Sequence, residues 1–205
     1  MPIPHTNELF DLSRTLLGGA LEKTEYPWEI LPKLGERILA LGQTLPADEY
    51  ISPAEGVWIH KTAKVAATAM IGAPCIICAG AEVRHCAFIR GSALVGAGAV
   101  VGNSTELKNA LLFDGVQVPH YNYVGDSVLG YKAHMGAGSI TSNVKSDKLP
   151  VTIRVGDARI PTGRKKIGAM LGDRVEVGCG SVLNPGTVVG ADARVYPLSA
   201  VRGFV

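Results

Sequence analysis

The sequence predicts a mainly β protein: a parallel β-helix over residues 51–205, preceded by a helical cap over residues 1–50 and interrupted by an inserted loop or hairpin at about residues 143–167. Three observations carry this reading. Large apolar residues recur every six positions from Ile59 through Val65, Ile71, Ile77, Val83, Ile89, Val95, Val101 and Leu107 to Phe113; such a run arises by chance on the order of once in 10⁴ to 10⁵. Four places after the apolar residues stand small ones, Ala63, Ala69, Cys75, Ala81, Ala87, Ala93, Ala99 and Thr105. Both registers return near the C-terminus, as Leu171, Val177, Leu183, Val189, Val195 and Val201 with Val175, Ser181, Thr187, Ala193 and Ser199.

A strict six-residue period drifts around a 3.6-residue helix and buries no single face, so an α-helical reading fails. A narrow triangular coil satisfies it. The branched aliphatic fills the interior, the small residue sits where the backbone turns, and glycines such as Gly72, Gly96 and Gly102 relieve the chain beside a corner. Three six-residue sides give about 18 residues per coil, and successive coils stack as parallel strands about 4.8 Å apart.

Two segments break the period. Residues 1–50 read as helices over Asn7–Leu17 and Trp28–Leu41, the second with an apolar stripe of Ile30, Leu31, Leu34, Ile38, Leu39 and Leu41. They are expected to cover the open edge of the first coil. Between Asn143 and Ile167 the alternation Val151, Ile153, Val155 is followed by Gly156-Asp157 and by the basic run Arg164-Lys165-Lys166, which reads as a hairpin projecting from the coil.

Composition excludes several function classes. Lys plus Arg (20) nearly balance Asp plus Glu (18), so bulk charge points to neither nucleic acid nor an anionic membrane. The N-terminus lacks a basic start with an apolar stretch, and nothing approaches a membrane span, so a cytoplasmic protein with reduced thiols is expected. Cys75 and Cys78 form a C-x-x-C without a second ligand pair, which fits buried small residues rather than a zinc site. The first 50 residues hold no glycine-rich phosphate loop and cannot house a nucleotide-binding βαβ unit.

Residues 18 apart lie above one another in such a coil. Arg90 and Lys108 are so spaced, and each follows an inward apolar residue, so both project from one corner on successive coils. Stacked cations repel, and an anion between them removes that cost; without one, they splay into solvent or pair with Glu106. His120 lies in Pro119-His120-Tyr121-Asn122-Tyr123, where the hexads slip register. Its near-neutral pKa type makes it the best general-base candidate in the chain, beside its structural reading.

From Arg90 through Gly102-Asn103, Glu106, Lys108, His120, Tyr123 and Gly125-Asp126 to Gly136-Ala137-Gly138-Ser139-Ile140-Thr141-Ser142-Asn143, the chain is similar without gaps to a known family. That family is the hexapeptide-repeat acetyltransferase domain of bacterial bifunctional UDP-N-acetylglucosamine pyrophosphorylase/glucosamine-1-phosphate N-acetyltransferases. The resemblance implies a left-handed coil, a homotrimer with sites between subunits, and transfer from acetyl-CoA to an amino-sugar phosphate without a metal. It implies His120 as base, Arg90 and Lys108 on the sugar phosphate, Tyr123 and Asn143 on the sugar, and Ala137 near acetyl-CoA. His134 stands where the family has a substrate-contacting asparagine, Cys179 where it has a serine near the coenzyme, and Lys148 near the place of a phosphate-binding lysine.

The segment Thr162-Gly163-Arg164-Lys165-Lys166 resembles instead the C-terminal domains of sugar-1-phosphate nucleotidylyltransferases. This keeps open a non-catalytic module that binds a nucleotide sugar or scaffolds a partner. A γ-carbonic-anhydrase-like zinc enzyme is a further alternative, since His85 and His120 are nearly two coils apart, but Gly125 occupies the place of its third ligand.

Overall fold

The computed structural model describes residues 4–205; the first three residues of the expected N-terminal segment lie outside the described residues. From Val57 onward the chain winds into a parallel β-helix with three flanks. The first flank stacks Val57–His60, Cys75–Ile77 and Ala93–Val95, and continues upward to Thr187–Val189. The second is a seven-stranded sheet from Lys64–Val65 to Arg194–Val195. The third carries Met70–Ile71, Phe88–Ile89 and, higher up, Ile140–Thr141, Val182–Leu183 and Ala200–Val201.

The apolar hexad positions are the interior. Ile77, Ile89, Val95, Val101, Leu107, Leu171, Leu183 and Val189 are fully buried, as are Cys75, Ala81, Ala93, Ala99 and Thr105 of the small register. Ile59, Val65 and Ile71 are only partly buried because the first coil has a neighbour on one side alone. Each fully buried aliphatic stabilises by an amount for which truncation to alanine costs about 2–5 kcal/mol. Close stacking also demands glycine: a Cβ added at Gly102 would lie 1.5 Å from the Pro119 carbonyl oxygen of the next coil. Gly102→Ala is therefore expected to cost about 1–3 kcal/mol in urea unfolding.

The hexad count shortens in two places. Ile89 pairs with Leu107 at a spacing of 18, but Leu107 pairs with Val124, and Val124 with Thr141, one residue sooner. Both losses fall at the corner between the third and first flanks. There the two-residue turn Gly91-Ser92 is replaced by single left-handed residues, Asn109 (φ 50°) and then Asp126 (φ 48°). Asn and Asp tolerate that conformation because a short polar side chain bonds locally. The strands Glu106–Leu112 and Tyr123–Leu129 consequently run unbroken around this corner. The slip also corrects the tenth hexad position. Leu112, not Phe113, stands in register with Val95 and Leu129, and Phe113 is buried by stacking on Phe10 at a ring separation of 5.1 Å.

The N-terminal segment lies along the first flank rather than over the first coil. Instead of one helix over 7–17 there are short turns, Thr6–Leu9, Leu12–Arg14 and Gly18–Leu21. Asp173 accounts for the break: its backbone N–H donates to Leu9 O and its carboxylate accepts from Asp11 N (2.7 Å), occupying groups a continuous helix would use. In the second expected helix, Pro32 has no N–H to donate, and the chain is a 3₁₀ helix over Pro27–Lys33 before an α-helix over Leu34–Gly42. These elements pack on Ile76, Leu94, Leu111 and Val128, all fully buried outward residues of the first flank. The edge of the first coil is covered instead by the antiparallel strand Tyr50–Ala54 on Val57–His60.

The insertion leaves the coil at Asn143 and rejoins at Gly168, whose N–H donates to Asp126 O (2.8 Å). It contains the hairpin Thr152–Val155 with Ala158–Pro161. The hairpin does not project. Val151 and Ile153 are fully buried, a Cβ at Gly186 would fall 2.7 Å from Val151, and Phe204 N donates to Arg154 O. Its apolar alternation is thus spent on the last coils of the β-helix.

Candidate functional site

Two corners carry the sequence-predicted residues, and the third flank joins them. At the corner between the second and third flanks, successive coils stack His85, Asn103, His120, Ala137 and Cys179 through the bonds Ser104 N to His85 O, Tyr121 N to Asn103 O, Gly138 N to His120 O (3.0 Å) and Gly180 N to Ala137 O (2.9 Å). His120, Ala137 and Cys179 are all exposed there. Asn122 holds this turn. Its Oδ1 accepts from His120 N (3.1 Å), and its buried Nδ2 donates to Gly136 O (2.9 Å) and Ser139 O (3.0 Å). Asn122 occupies the inward small position, the polar substitution that the hexads marked as a fault.

At the other corner, Lys108 Nζ donates to both oxygens of Asp126 (2.9 and 3.0 Å), and Asn109 Nδ2 donates to Asp126 Oδ1 (2.9 Å). Asn143 Nδ2 reaches both Asp126 Oδ2 and the Tyr123 phenol oxygen. Asp126 is nearly buried at 4% exposure, so one carboxylate gathers three donors, Lys108 and Asn109 from the coil below and Asn143 from the coil above. Arg90 lies directly below Lys108 in the stack, its guanidinium on Glu106 Oε1 (2.8 Å). Tyr123 spans the flank between the corners: a Cβ at Gly125 would sit 2.4 Å from its hydroxyl oxygen, so glycine leaves room for the ring. Burial raises the Tyr123 pKa, reinforced by the nearby Asp126 and Glu106 charges, and the phenol stays protonated at neutral pH.

Arg90, Lys108, Tyr123 and Asn143 are therefore brought together, and His120, Ala137 and Cys179 form a separate column. His134 lies apart on the second flank with Nδ1 2.8 Å from Glu176 Oε2. Lys148 is exposed in the insertion, its N–H bonded to Lys145 O. The cations that do come over the Lys108 corner are Arg164, Lys165 and Lys166, which line a cleft of about 600 Å³ with Lys108, Asn109, Asp126 and the N-terminal residues Leu31, Pro32, Gly35 and Glu36. Asp126, Asn109 and Asn122 were missed as site residues from sequence. The available signal was spacing: Asp126 follows Lys108 by 18 residues, the length of a regular coil, although in the shortened coil it stacks on Asn109.

His85 is engaged with Thr68 (2.7 Å from Nδ1) and with the Cys86 sulfur (3.2 Å from Nε2), and Asn103 separates it from His120. Cys75 and Cys78 are buried, and burial pushes both thiols up, Cys78 to about 12, so both stay protonated and unreactive at neutral pH. Cys86 and Cys179 are exposed. Mass spectrometry after iodoacetamide treatment at neutral pH should therefore find two adducts on the native chain and four after denaturation.

Among the described residues, no helix is long and apolar enough to cross a membrane. The stacked hexads and their corners define a hexapeptide-repeat parallel β-helix. The chain belongs to the family described as the GMPPB C-terminal domain, whose model matches residues 73–204. It is 39% identical over 101 residues to a bifunctional sugar-1-phosphate nucleotidylyltransferase/acetyltransferase of Sulfurisphaera tokodaii, across 49% of this chain and 25% of that protein. It is 37% identical over 92 residues to the bifunctional protein GlmU of Methanococcus vannielii, across 45% and 22%. The match thus spans about a quarter of each relative's length. Among solved structures, PerB of Caulobacter crescentus in complex with CoA and GDP-perosamine is 20% identical with a TM-score of 0.38, across 68% of this chain and 51% of that one.

Proposed function

We propose that the chain transfers the acetyl group of acetyl-CoA to the amine of an amino-sugar phosphate. The observation that carries this reading is the single corner that stacks an exposed His120 on Ala137 and Cys179, one flank away from the Lys108, Tyr123 and Asn143 cluster. In this mechanism the His120 imidazole takes a proton from the attacking amine, nitrogen bonds to the thioester carbon, and the C–S bond breaks as the proton passes to the departing coenzyme A thiolate. Backbone N–H groups near Ala137 stabilise the oxyanion. Arg90 and Lys108 hold the phosphate, Tyr123 and Asn143 the sugar, and Cys179 lies beside the coenzyme. His134 and Lys148 join the substrate site only through a neighbouring copy. The two bifunctional relatives, one named as an acetyltransferase, support the assignment.

The third flank supports a homotrimer. Its outward residues are Met70 (66% exposed), Phe88 (39%), Glu106, Tyr123, Ile140, Val182 and Ala200, mostly apolar, with Tyr121 and Leu198 exposed on the adjoining corner. A second copy on this flank would bring a His120 corner toward a Lys108 corner. Light scattering should give three times the 21.5 kDa chain mass; the monomer mass would refute the trimer. Use of acetyl-CoA as donor supports a cytoplasmic location on this reading.

The test is acetyl transfer from acetyl-CoA to glucosamine 1-phosphate, read by release of coenzyme A thiol. Arg90→Ala and Lys108→Ala should each raise KM for the sugar phosphate about tenfold or more, with kcat less affected, because they bind ground and transition states alike. A second reading, a non-catalytic module that binds a nucleotide sugar, is favoured by one observation: Arg90 and Lys108 are already paired with Glu106 and Asp126. Inactivity of the wild type on a panel of amino-sugar phosphates would select it.

A further inference from the structure

Two coils below His120, the corner between the second and third flanks carries a cluster that acetyl transfer does not use. Cys86 Sγ lies 3.2 Å from His85 Nε2, His85 Nδ1 lies 2.7 Å from Thr68 Oγ1, and Cys86 N donates to the same hydroxyl oxygen (3.3 Å). We propose that Cys86 is a nucleophilic thiol, with His85 as its base and Thr68 holding that base, and that it exchanges with small anionic disulfides to form a mixed disulfide.

Hydrogen bonding carries the first part of the argument. With its Nδ1–H donated to Thr68, His85 keeps a lone pair on Nε2 facing the thiol. Once the Cys86 proton moves to Nε2, both ring nitrogens are donors and both of their partners, the Thr68 oxygen and the thiolate, are acceptors. The ion pair therefore forms without rearrangement. A nucleophile, a base within reach of it and a third group orienting that base are the parts that activate a thiol. Cys86 also stands at a left-handed corner position (φ 57°) that two of the coils above fill with Gly138 and Gly180, and its side chain is exposed.

The step balances with a disulfide as co-reactant. His85 Nε2 takes the Cys86 proton, the thiolate attacks one sulfur of the disulfide, a bond from Cys86 Sγ to that sulfur forms, and the original S–S bond breaks. The departing thiolate takes the proton back from His85. Cys86 is oxidised, and half of the small disulfide is reduced to a thiol. No second cysteine competes: Cys75 and Cys78 are buried, and Cys179 stands four coils above Cys86 in the same column. At about 4.8 Å per coil that is about 19 Å, far beyond the reach of a disulfide.

Charge selects the class of disulfide. His85 lines a shallow depression of about 600 Å³ on the second flank, together with Lys64, Glu82 and Arg84. Lys64 and Arg84 share the one Glu82 carboxylate, at 3.7 and 3.0 Å, which leaves one positive charge in excess beside the thiol. A carboxylate-bearing disulfide is drawn to that surface and a cationic one is repelled.

The test compares oxidised glutathione with cystamine, its cationic counterpart, on the full chain at pH 7, followed by intact mass and peptide mapping over time. Cys179 is the internal control, since it is exposed and its sulfur has no hydrogen-bond partner among the described residues. An ordinary thiol is only about 3% thiolate at neutral pH, and a more acidic thiol is intrinsically less nucleophilic, so Cys86 should gain about tenfold in rate over Cys179. The expected product is one glutathione per chain on Cys86, formed faster than the cystamine adduct. His85→Gln should reduce the Cys86 rate to that of Cys179. Thr68→Val should reduce it in part, and Thr68→Ser, which keeps the hydroxyl, should restore it. All of these changes are at exposed side chains, and unchanged circular dichroism spectra and melting curves would show that the fold is kept. A Cys86 that reacts no faster than Cys179, an unchanged rate in folded His85→Gln, or equal rates with the two disulfides would each overturn the proposal.

Discussion

His120→Ala is expected to lower kcat for acetyl transfer by about 10² to 10⁴, the usual worth of a general base, with little change in KM for the sugar phosphate. The expectation rests on where the ring sits. His120 is exposed at the end of the strand Gln117–His120, and its turn is fixed by Asn122 and by the bond from Gly138 N rather than by contacts of the imidazole itself. Removing the ring therefore leaves the fold intact and deletes only the proton acceptor. The measurement is steady-state kinetics of wild type and variant with acetyl-CoA and glucosamine 1-phosphate, with melting curves to show equal stability. Full activity in His120→Ala would remove the histidine from the mechanism. Asn122→Ala provides a contrast: it strips a buried hydrogen-bonding hub and should lower stability as well as activity.

Asp126→Ala should be the most damaging single change at the other corner, costing about 1–3 kcal/mol of stability, because it leaves the half-buried Lys108 and the amides of Asn109 and Asn143 without their common acceptor. Lys108, Asn109 and Asn143 all direct donors at the one carboxylate, and Lys108 is itself largely covered. Asp126→Asn, which keeps an acceptor oxygen and the shape, should cost less. Urea unfolding of the two variants beside wild type is the check, and equal stability of Asp126→Ala and wild type would show that the corner does not depend on this hub. A Lys108 freed of its counter-ion would also be a stronger anion ligand, so a folded Asp126→Asn should bind phosphate-bearing probes more tightly than wild type.

The repeat was legible because an inward-facing coil residue answers to one constraint, the size of the interior, and that constraint returns every six residues. Ile77, Ile89 and Val101 could thus be placed from their spacing alone. Phe113 could not, because counting in sixes cannot detect a corner that closes with one left-handed Asn109 in place of Gly91-Ser92. The N-terminal stripe of Ile30, Leu31, Leu34 and Ile38 announced an element with a buried face but not its site of burial. The apolar outward residues Ile76, Leu94, Leu111 and Val128 of the first flank supplied that site. The stacking of Arg90 below Lys108 followed from an 18-residue spacing. The hub role of Asp126 did not, since a short acidic residue after glycine looks like any surface turn until its burial is known.

By itself the sequence determined what is periodic and local: the hexad interior, the small corner residues, and the alternation of the inserted hairpin. Tertiary structure decided the rest. It laid the N-terminal segment along the first flank, folded the hairpin against the last coils, and drew Arg164–Lys166 over the Lys108 corner. The physical reason is that these placements come from burying particular apolar faces against one another, and such burial is non-directional and set by the area each surface offers. A repeat specifies its own neighbours one coil away; a single apolar stripe specifies only that it has a partner.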